Sequence, residues 1–369
     1  MPVVDAWTDS TRRESCALGI DTTCSNEMTD HVKRRSSQAF AFVIMMPFGK
    51  ELAIAEEAVR IAAKLCQAVR DPNAMEKNDK SPVTVADYGS QAIICKFLLT
   101  NFPEDPVVAE EDANELEGDP LNKVTNHVKQ SIGDDSITPD DVTKWINHGN
   151  GTTNTGRFWT LDPIDGTKGF LRGDQYAIAL ALVEDGEVKL GILGCPALKL
   201  ESFAASGCLF TAVLGQGTFL KPLLGNGSCQ ISRLQVAQKH DHGGLRFVES
   251  VEVDHGNHKT QEHIAKAVGI TRDSLRMDSQ VKYGIVATGE AALYLRLPSE
   301  KKPNYRECIW DHAAGSIVVE EAGGKVTDML GKPLDFCSAT KMNDNQGVVV
   351  SNGFIHKKVM NALQDLENF

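Results

Sequence analysis

Between residues 50 and 70 the apolar positions Leu52, Ala55, Val59, Ala62, Leu65 and Val69 recur every three or four residues. That spacing predicts an amphipathic helix. A polar loop over 78–82 leads into a second helix at 85–101, stopped by Pro103. Val107, Val108 and Ala109 read as a short buried strand that runs into Glu110, Glu111 and Asp112. Residues 113–136 are polar and read as loop. Thr138-Pro139-Asp140-Asp141 has the composition of a helix start, with a capping hydroxyl, proline in the first turn and acids against the helix dipole. Gly149 ends that helix.

The pattern then changes to strands. Residues 158–161 predict one. Residues 175–183 and 188–193 predict a hairpin joined at Asp185-Gly186, a strong turn signal. Residues 209–214 and 218–220 flank another glycine-rich turn. Further on, helices and strands alternate: strand 247–251, helix 260–268, helix 280–289, strand 292–297, helix 311–322 ending at Gly323-Gly324, strand 347–351, and a last helix carrying Ile355, Val359 and Leu363. No internal repeat is visible. This order predicts an α+β lobe followed by an α/β lobe, with boundaries at 47–230 and 231–369 and a polar, glycine-rich junction near 225–229. Residues 1–46 lack helical periodicity before the apolar run at 39–46 and read as an extension without packed structure. Its acids (Asp5, Asp9, Glu14, Asp21, Glu27, Asp30) are unlike a transit peptide, although an organellar address stays open beside the cytoplasm.

Composition narrows the function. The 369 residues are 41% hydrophobic, enough for a substantial core, and carry a net charge of −12. An acidic chain is a poor partner for nucleic-acid polymers, whose binding draws on Lys and Arg contacts to phosphate. No stretch reaches the ~18 apolar residues of a membrane span. The nine cysteines show no C-x-x-C spacing, and Cys66, Cys95 and Cys195 sit in apolar runs. They read as reduced thiols of an intracellular protein.

The most informative segment is Trp159-Thr160-Leu161-Asp162-Pro163-Ile164-Asp165-Gly166-Thr167-Lys168. Two carboxylates three positions apart end an apolar stretch, and Gly-Thr follows at once. Asp and Gly favour turns in any protein. Here, though, other carboxylates also stand at element ends: Asp87 at a helix start, Glu110 and Glu111 after a strand, and Asp311 at the start of Trp310-Asp311-His312-Ala313-Ala314-Gly315. Two such charges ~4 Å apart repel by about 4 kcal/mol at an effective dielectric near 20. A cluster of them takes up protons or binds cations, and hard oxygen donors favour Mg²⁺. Haloacid-dehalogenase-type phosphatases place a nucleophilic Asp in D-x-D-G-T. The run D-P-I-D-G-T is one residue longer, which breaks that geometry and leaves the Ile164 carbonyl between the two acids.

These residues resemble the 3′(2′),5′-bisphosphate nucleotidases, plant members above all, within the inositol monophosphatase-like, lithium-sensitive phosphatases. The resemblance rests on Asp162–Thr167 with Trp310-Asp311, on the runs 79–88, 165–176 and 309–315, and covers roughly residues 48–365. It implies a two-lobed, layered αβαβα sandwich like that of inositol monophosphatase and fructose-1,6-bisphosphatase. It implies two or three Mg²⁺ ions held by Glu110, Asp162, the Ile164 carbonyl, Asp165 and Asp311, and a base pair, Asp87 with Thr167, that deprotonates the attacking water. The amides of Gly166 and Thr167 would receive the phosphate. The matches Asp278-Ser-Gln-Val-Lys-Tyr283 and Tyr294-Leu-Arg-Leu297 put Ser279, Lys282 and Arg296 on the nucleotide, with His255 as a further contact in a departing context. Lys168 and Arg172 are possible electrostatic helpers. The implied reaction removes the 3′-phosphate of adenosine 3′,5′-bisphosphate (PAP), giving AMP in sulfur metabolism, with lithium sensitivity and a monomeric enzyme. Two alternatives remain: an inositol polyphosphate 1-phosphatase, and a catalytically weak sensor of phosphonucleotides or redox state.

Overall fold

The structure, a computed structural model, describes residues 46–69, 75–76, 82–83, 85–153, 156–203, 207–224, 231–238, 245–252, 258–298 and 304–367. The chain divides into two compact units, Met1–Lys50 and Glu51–Phe369. Of the first, only residues 46–50 are described. The extension expected over 1–46 therefore falls, apart from Met46, outside the described residues, as does the junction near 225–229.

In chain order the elements are α1 (Gly49–Ala68), β1 (Met75–Glu76), β2 (Pro82–Val83), α2 (Val85–Asn101), β3 (Val107–Ala109), α3 (Gly118–Ile132), α4 (Pro139–Asn147), β4 (Arg157–Asp165), α5 (Thr167–Arg172), β5 (Ala177–Glu184), β6 (Glu187–Cys195), β7 (Cys208–Val213), β8 (Gly217–Pro222) and β9 (Ser232–Arg233). There follow β10 (Phe247–Glu249), α6 (His258–Ala267), β11 (Leu275–Arg276), α7 (Val281–Ala287), β12 (Leu293–Arg296), α8 (Ala313–Glu320), β13 (Lys325–Thr327), β14 (Val348–Ser351) and α9 (His356–Glu367). A short 3₁₀ turn, Ile309–Asp311, precedes α8.

Two sheets organise these elements. The larger has the order β3-β4-β5-β6-β7-β8-β9; β3 and β4 are parallel and the remaining neighbours antiparallel. The smaller has the order β11-β10-β12-β14-β13, with β10 parallel to both β11 and β12. The period-two alternation of strands decides which helices each face meets. On β5, Ala177, Ala179, Ala181 and Val183 point into a core shared with Val281, Ile285, Ala314, Ile317 and Val318 of α7 and α8. The same core takes Tyr294 of β12 and Val348 and Val350 of β14 from the second sheet. Leu293, Leu295 and Val349 point the other way, against Ile264 of α6 and Val359 and Leu363 of α9. Helices α1 and α2 cover the outer face of the larger sheet: α2 packs on β4, and Val59 lies under Gly194. The layers run helix, sheet, helix, sheet, helix, which is the expected αβαβα sandwich.

Small residues let the middle layer sit close. A Cβ on Gly191 of β6 would lie 2.4 Å from Ile317 Cγ2 and 2.8 Å from the Ala314 carbonyl. Helix α8 can thus approach the sheet only where this strand has no side chain.

One expectation fails. Residues 118–132 form a helix, not a loop. Leu121, Val124, Val128 and Ile132 give it one narrow apolar stripe, of which Val124 and Val128 are fully buried. Gly133 closes it in the left-handed conformation, its N–H donating to the Lys129 carbonyl at 2.7 Å. The polar majority of the segment masked that stripe.

His356 of α9 is buried between two hydroxyls, with Nδ1 2.9 Å from Ser351 Oγ and Nε2 3.1 Å from Thr327 Oγ1. Burial, then the nearby Lys325 charge, pushes its pKa down to about 4. Two outcomes follow. Gly191→Ala should lower stability by about 1–3 kcal/mol in urea unfolding, as overpacking does; an unchanged midpoint would mean that α8 does not bear on β6. Since the unfolded imidazole titrates near 6.5, the unfolded state binds the extra proton first. Stability should be full above about pH 6.5 and decline as pH falls towards 4. His356→Gln should flatten that part of a pH–stability profile, and an unaltered slope would assign it to other groups.

Candidate active site

The site forms where β4 ends. Its pairing with β5 is regular through Asp162↔Ala179, is interrupted over Pro163 and Ile164, and resumes at Asp165↔Ala177. Proline has no N–H for the ladder, so the break falls where the sequence puts Pro163. The irregularity turns both Asp162 and Asp165 into one cavity of about 240 Å³. Asp162 Oδ1 accepts the Ile164 N–H at 3.1 Å. The Ile164 carbonyl accepts the Thr167 hydroxyl at 3.3 Å. Gly166 then starts α5 at φ 86°. A Cβ there would lie 2.9 Å from Ser279 Cβ, so glycine answers both the left-handed turn and the close approach of the segment before α7.

The cavity is lined by Glu110, Asp162, Ile164, Asp165, Gly166, Thr167, Ser279, Lys282, Arg296 and Asp311, together with Gln280, Tyr305, Glu307 and His312. Nearly every residue singled out in the sequence is thus brought to one place, from segments as far apart as β3 and α8. Of the residues expected to act on metal, water or nucleotide, two are not in the lining. Asp87 is buried in the first turn of α2, behind the cavity but near enough for its charge to act on Asp162. Helix α2 is fastened there by Ser90, whose hydroxyl donates to the Pro163 carbonyl at 3.1 Å. His255 lies outside the described residues.

Electrostatics divides the cavity lining into an acidic and a cationic set. Burial pushes the Asp162 carboxyl well above the usual range, and the charges of Glu110, Asp165, Asp311 and Asp87 push it further. Asp311 is raised to about 7, by burial first and then by Glu307. Burial also raises Asp165, against the pull of Lys282 and of the Gln280 N–H, which donates to its Oδ2 at 2.6 Å. Crowded, buried oxygen donors of this kind fit a hard divalent cation.

The same cavity also carries cations. Burial lowers the Lys282 pKa to about 8; its ammonium donates to the Met277 carbonyl at 3.3 Å and stands 5.1 Å over the Tyr294 ring. Arg296 donates Nε to Glu307 Oε1 at 2.9 Å and Nη2 to Oε2 at 3.4 Å. The ligand atoms of Glu307, Asp311 and His312 all fall within 4.8 Å of one another, a spacing that could hold a metal. Glu307 nonetheless belongs to an ion-pair cluster. Burial works against its ionisation, yet His312 and Arg296 hold its carboxyl down to about 2. Tyr283 fixes the imidazole from the other side, its hydroxyl 2.7 Å from His312 Nδ1, so Nε2 faces Glu307 Oε2 at 3.6 Å.

Sequence reasoning missed Glu307, His312, Gln280 and Glu252. Glu307 and His312 flank the recognised Trp310-Asp311 pair, but nothing in their spacing separates them from surface residues. At the cavity rim Lys168 and Arg172 both pair with Glu252, and Arg172 also with Asp278. The two cations are therefore held by acids rather than free on a solvated helix face. The described cysteines Cys66, Cys95, Cys195, Cys208, Cys308 and Cys337 are free thiols, and among the described residues no helix is long and apolar enough to cross a membrane.

Comparison with known proteins agrees with this architecture. The chain is 40% identical to a Candida albicans 3′(2′),5′-bisphosphate nucleotidase 2, over 87% of this chain and 98% of that protein. It is 42% identical to an Arabidopsis thaliana 3′(2′),5′-bisphosphate nucleotidase 1, over 87% and 97%. Among solved structures, the inositol monophosphatase of Thermotoga maritima superposes with a TM-score of 0.59 at 26% identity, over 86% of this chain and 98% of that one. Residues 49–368 match the model of the inositol monophosphatase family; with the site and the layers arranged as above, the chain belongs to that family.

Proposed function

We propose that this protein is a Mg²⁺-dependent phosphatase that removes the 3′-phosphate of adenosine 3′,5′-bisphosphate, leaving AMP and phosphate. The observation that carries this reading is one cavity lined both by carboxylates (Glu110, Asp162, Asp165, Asp311) and by cations (Lys282, Arg296). The carboxylates suit cations that neutralise a phosphoryl group; the cationic side chains suit a second anionic group on the same small molecule. The two similar nucleotidases described above support the substrate class.

Glu110, Asp162, Asp165, Asp311 and the Ile164 carbonyl would hold the Mg²⁺ ions. Bound there, Mg²⁺ supplies positive charge to the phosphoryl oxygens and makes a water beside them more acidic. The remaining work falls to the chain. The N–H groups of Gly166 and Thr167 stand at the opening of α5, where no carbonyl lies one turn earlier. They are free to receive the phosphate as it turns inside out in an in-line displacement. Thr167 orients the attacking water through its hydroxyl, with Asp87, buried behind the site, taking the proton. Ser279, Lys282 and Arg296 hold the 5′-phosphate and adenosine; His255, expected from the resemblance as a further contact, lies outside the described residues. Adenosine 3′-phosphate 5′-phosphosulfate (PAPS) carries the same 3′-phosphate and would be a second substrate. Inhibitory Li⁺ would compete for a Mg²⁺ position.

Phosphate release by the purified protein tests this. Turnover of adenosine 3′,5′-bisphosphate should require Mg²⁺, stop on chelation and return on re-addition. Asp162→Asn should cost more than about 100-fold, beyond the 10–100-fold typical of groups that only support a ligand. Thr167→Val should lower kcat by about 10²–10⁴, the span of a proton-transfer partner, with KM little changed. Hydrolysis confined to inositol 1,4-bisphosphate would overturn the nucleotide assignment. Binding without turnover of either compound would overturn the enzymatic one.

A further inference from the structure

Two buried glutamines stand beside the acidic set without lending it charge. Gln91 of α2 is fully buried. Its Nε2 donates to the Glu111 carbonyl at 2.6 Å and to the Ile146 carbonyl at 2.9 Å, while its Oε1 accepts the Glu111 N–H at 3.0 Å. The orientation of the amide is fixed by its partners, since carbonyls only accept and the N–H only donates. Gln91 therefore holds both main-chain groups of the residue that follows Glu110. The fit is tight: a Cβ on Gly149 would lie 2.6 Å from Gln91 Nε2 and 2.8 Å from Ala109 Cβ.

Gln280 repeats the device on the other side. It is 2% exposed. Its Nε2 donates to the Trp310 carbonyl at 2.8 Å, one residue before Asp311, and its Oε1 accepts the Gly315 N–H at 3.0 Å. Its own N–H donates to Asp165 Oδ2. One residue thus refers the Asp165 carboxylate to the turn that carries Asp311. Ser279, immediately before it, takes φ 64°, a left-handed conformation rare in a residue with a side chain.

We propose that Gln91 and Gln280 are positioning residues: neutral amide clamps that set the backbone beside Glu110 and Asp311 and so fix the spacing of the cation-binding carboxylates. A clamp in this place must donate and accept at once, which a carboxylate or an ammonium cannot do. It must also add no charge to a cluster that already repels itself. A buried amide bound at both ends meets both conditions. The inference rests on the cation reading of the acidic set.

The test uses the full chain, with Mn²⁺ binding followed by paramagnetic resonance of the free ion, and thermal unfolding measured in parallel. Gln280→Met and Gln91→Met keep the volume and remove the amide; each should weaken Mn²⁺ binding about 10–100-fold, the range for groups that orient metal ligands. At saturating metal, kcat should fall while KM for adenosine 3′,5′-bisphosphate stays within about threefold. Where a methionine variant does not fold, Gln280→Asn or Gln91→Asn, which keeps the amide but shortens its reach, should show the same weakening. Variants that melt earlier yet bind Mn²⁺ like the parent would overturn the proposal and leave both residues as ordinary core support. If Asp162→Asn binds Mn²⁺ as tightly as the parent, the cation reading itself falls, a pattern distinct from failure of the glutamine variants alone.

Discussion

Mutual repulsion of carboxylates in a buried place is the constraint around which this molecule is built. Asp162, Asp165 and Asp311 all have their carboxyls raised by burial, and Asp162 and Asp311 are raised further by their acidic neighbours. No local structure would bring such groups together unaided. The segments that carry them must be fixed by something that outweighs the repulsion, and that something is the packing of the two sheets and the helices between and around them. Asp162 and Asp165 close a strand near one edge of the larger sheet, buried from Phe158 to Ile164. Asp311 ends the 3₁₀ turn that leads into α8, whose apolar face is pressed against β6 through Gly191. Only Glu110, at the end of the short β3, is exposed.

The same physics explains why α2, remote in sequence from the aspartate pair, belongs to the site. Asp87, Ser90 and Gln91 fall in its first two turns and are all buried. Asp87 adds charge to the cluster, Ser90 ties the helix to the Pro163 carbonyl, and Gln91 ties it to the strand end beside Glu110. The first half of the helix, Ala86 to Cys95, is buried at every position, so its polar groups there need the partners they have.

What could be read from the chain depended on whether the signal was local. The D-P-I-D-G-T run states its own geometry: two acids at a strand end, a proline that breaks the ladder, and a glycine that turns into a helix. Strands written as continuous apolar runs, such as β5 and β14, were equally plain, because both of their faces are buried. Helix α3 was legible in principle through Leu121, Val124, Val128 and Ile132, but a stripe one residue wide was hidden among polar positions. The acids of the cavity could be gathered because each stands at an element end. Glu307, His312 and the two glutamines could not. Their roles come from partners far away in sequence, such as Arg296 for Glu307 and the Glu111 main chain for Gln91, and no spacing rule encodes those pairings.

Glu307 and Asp311 show how far such pairings decide chemistry. They are four positions apart, lie in one cavity and carry the same group, yet one carboxyl is held down to about 2 and the other is raised to about 7. The difference is Arg296 and His312, which engage Glu307 on both sides. Asp311 accepts the Cys308 N–H at 3.0 Å, and the charges of Glu307, Asp165 and Glu110 raise it against the pull of His312. Glu307 thereby keeps the Arg296 guanidinium at the cavity by a two-point contact. Asp311 completes the acidic set. A residue count at this turn would give two acids and a histidine and suggest a single metal site. Charge pairing instead separates the two neighbouring carboxylates by partner: Glu307 is neutralised by Arg296 and His312, whereas Asp311 keeps its carboxylate towards Asp165 and Glu110.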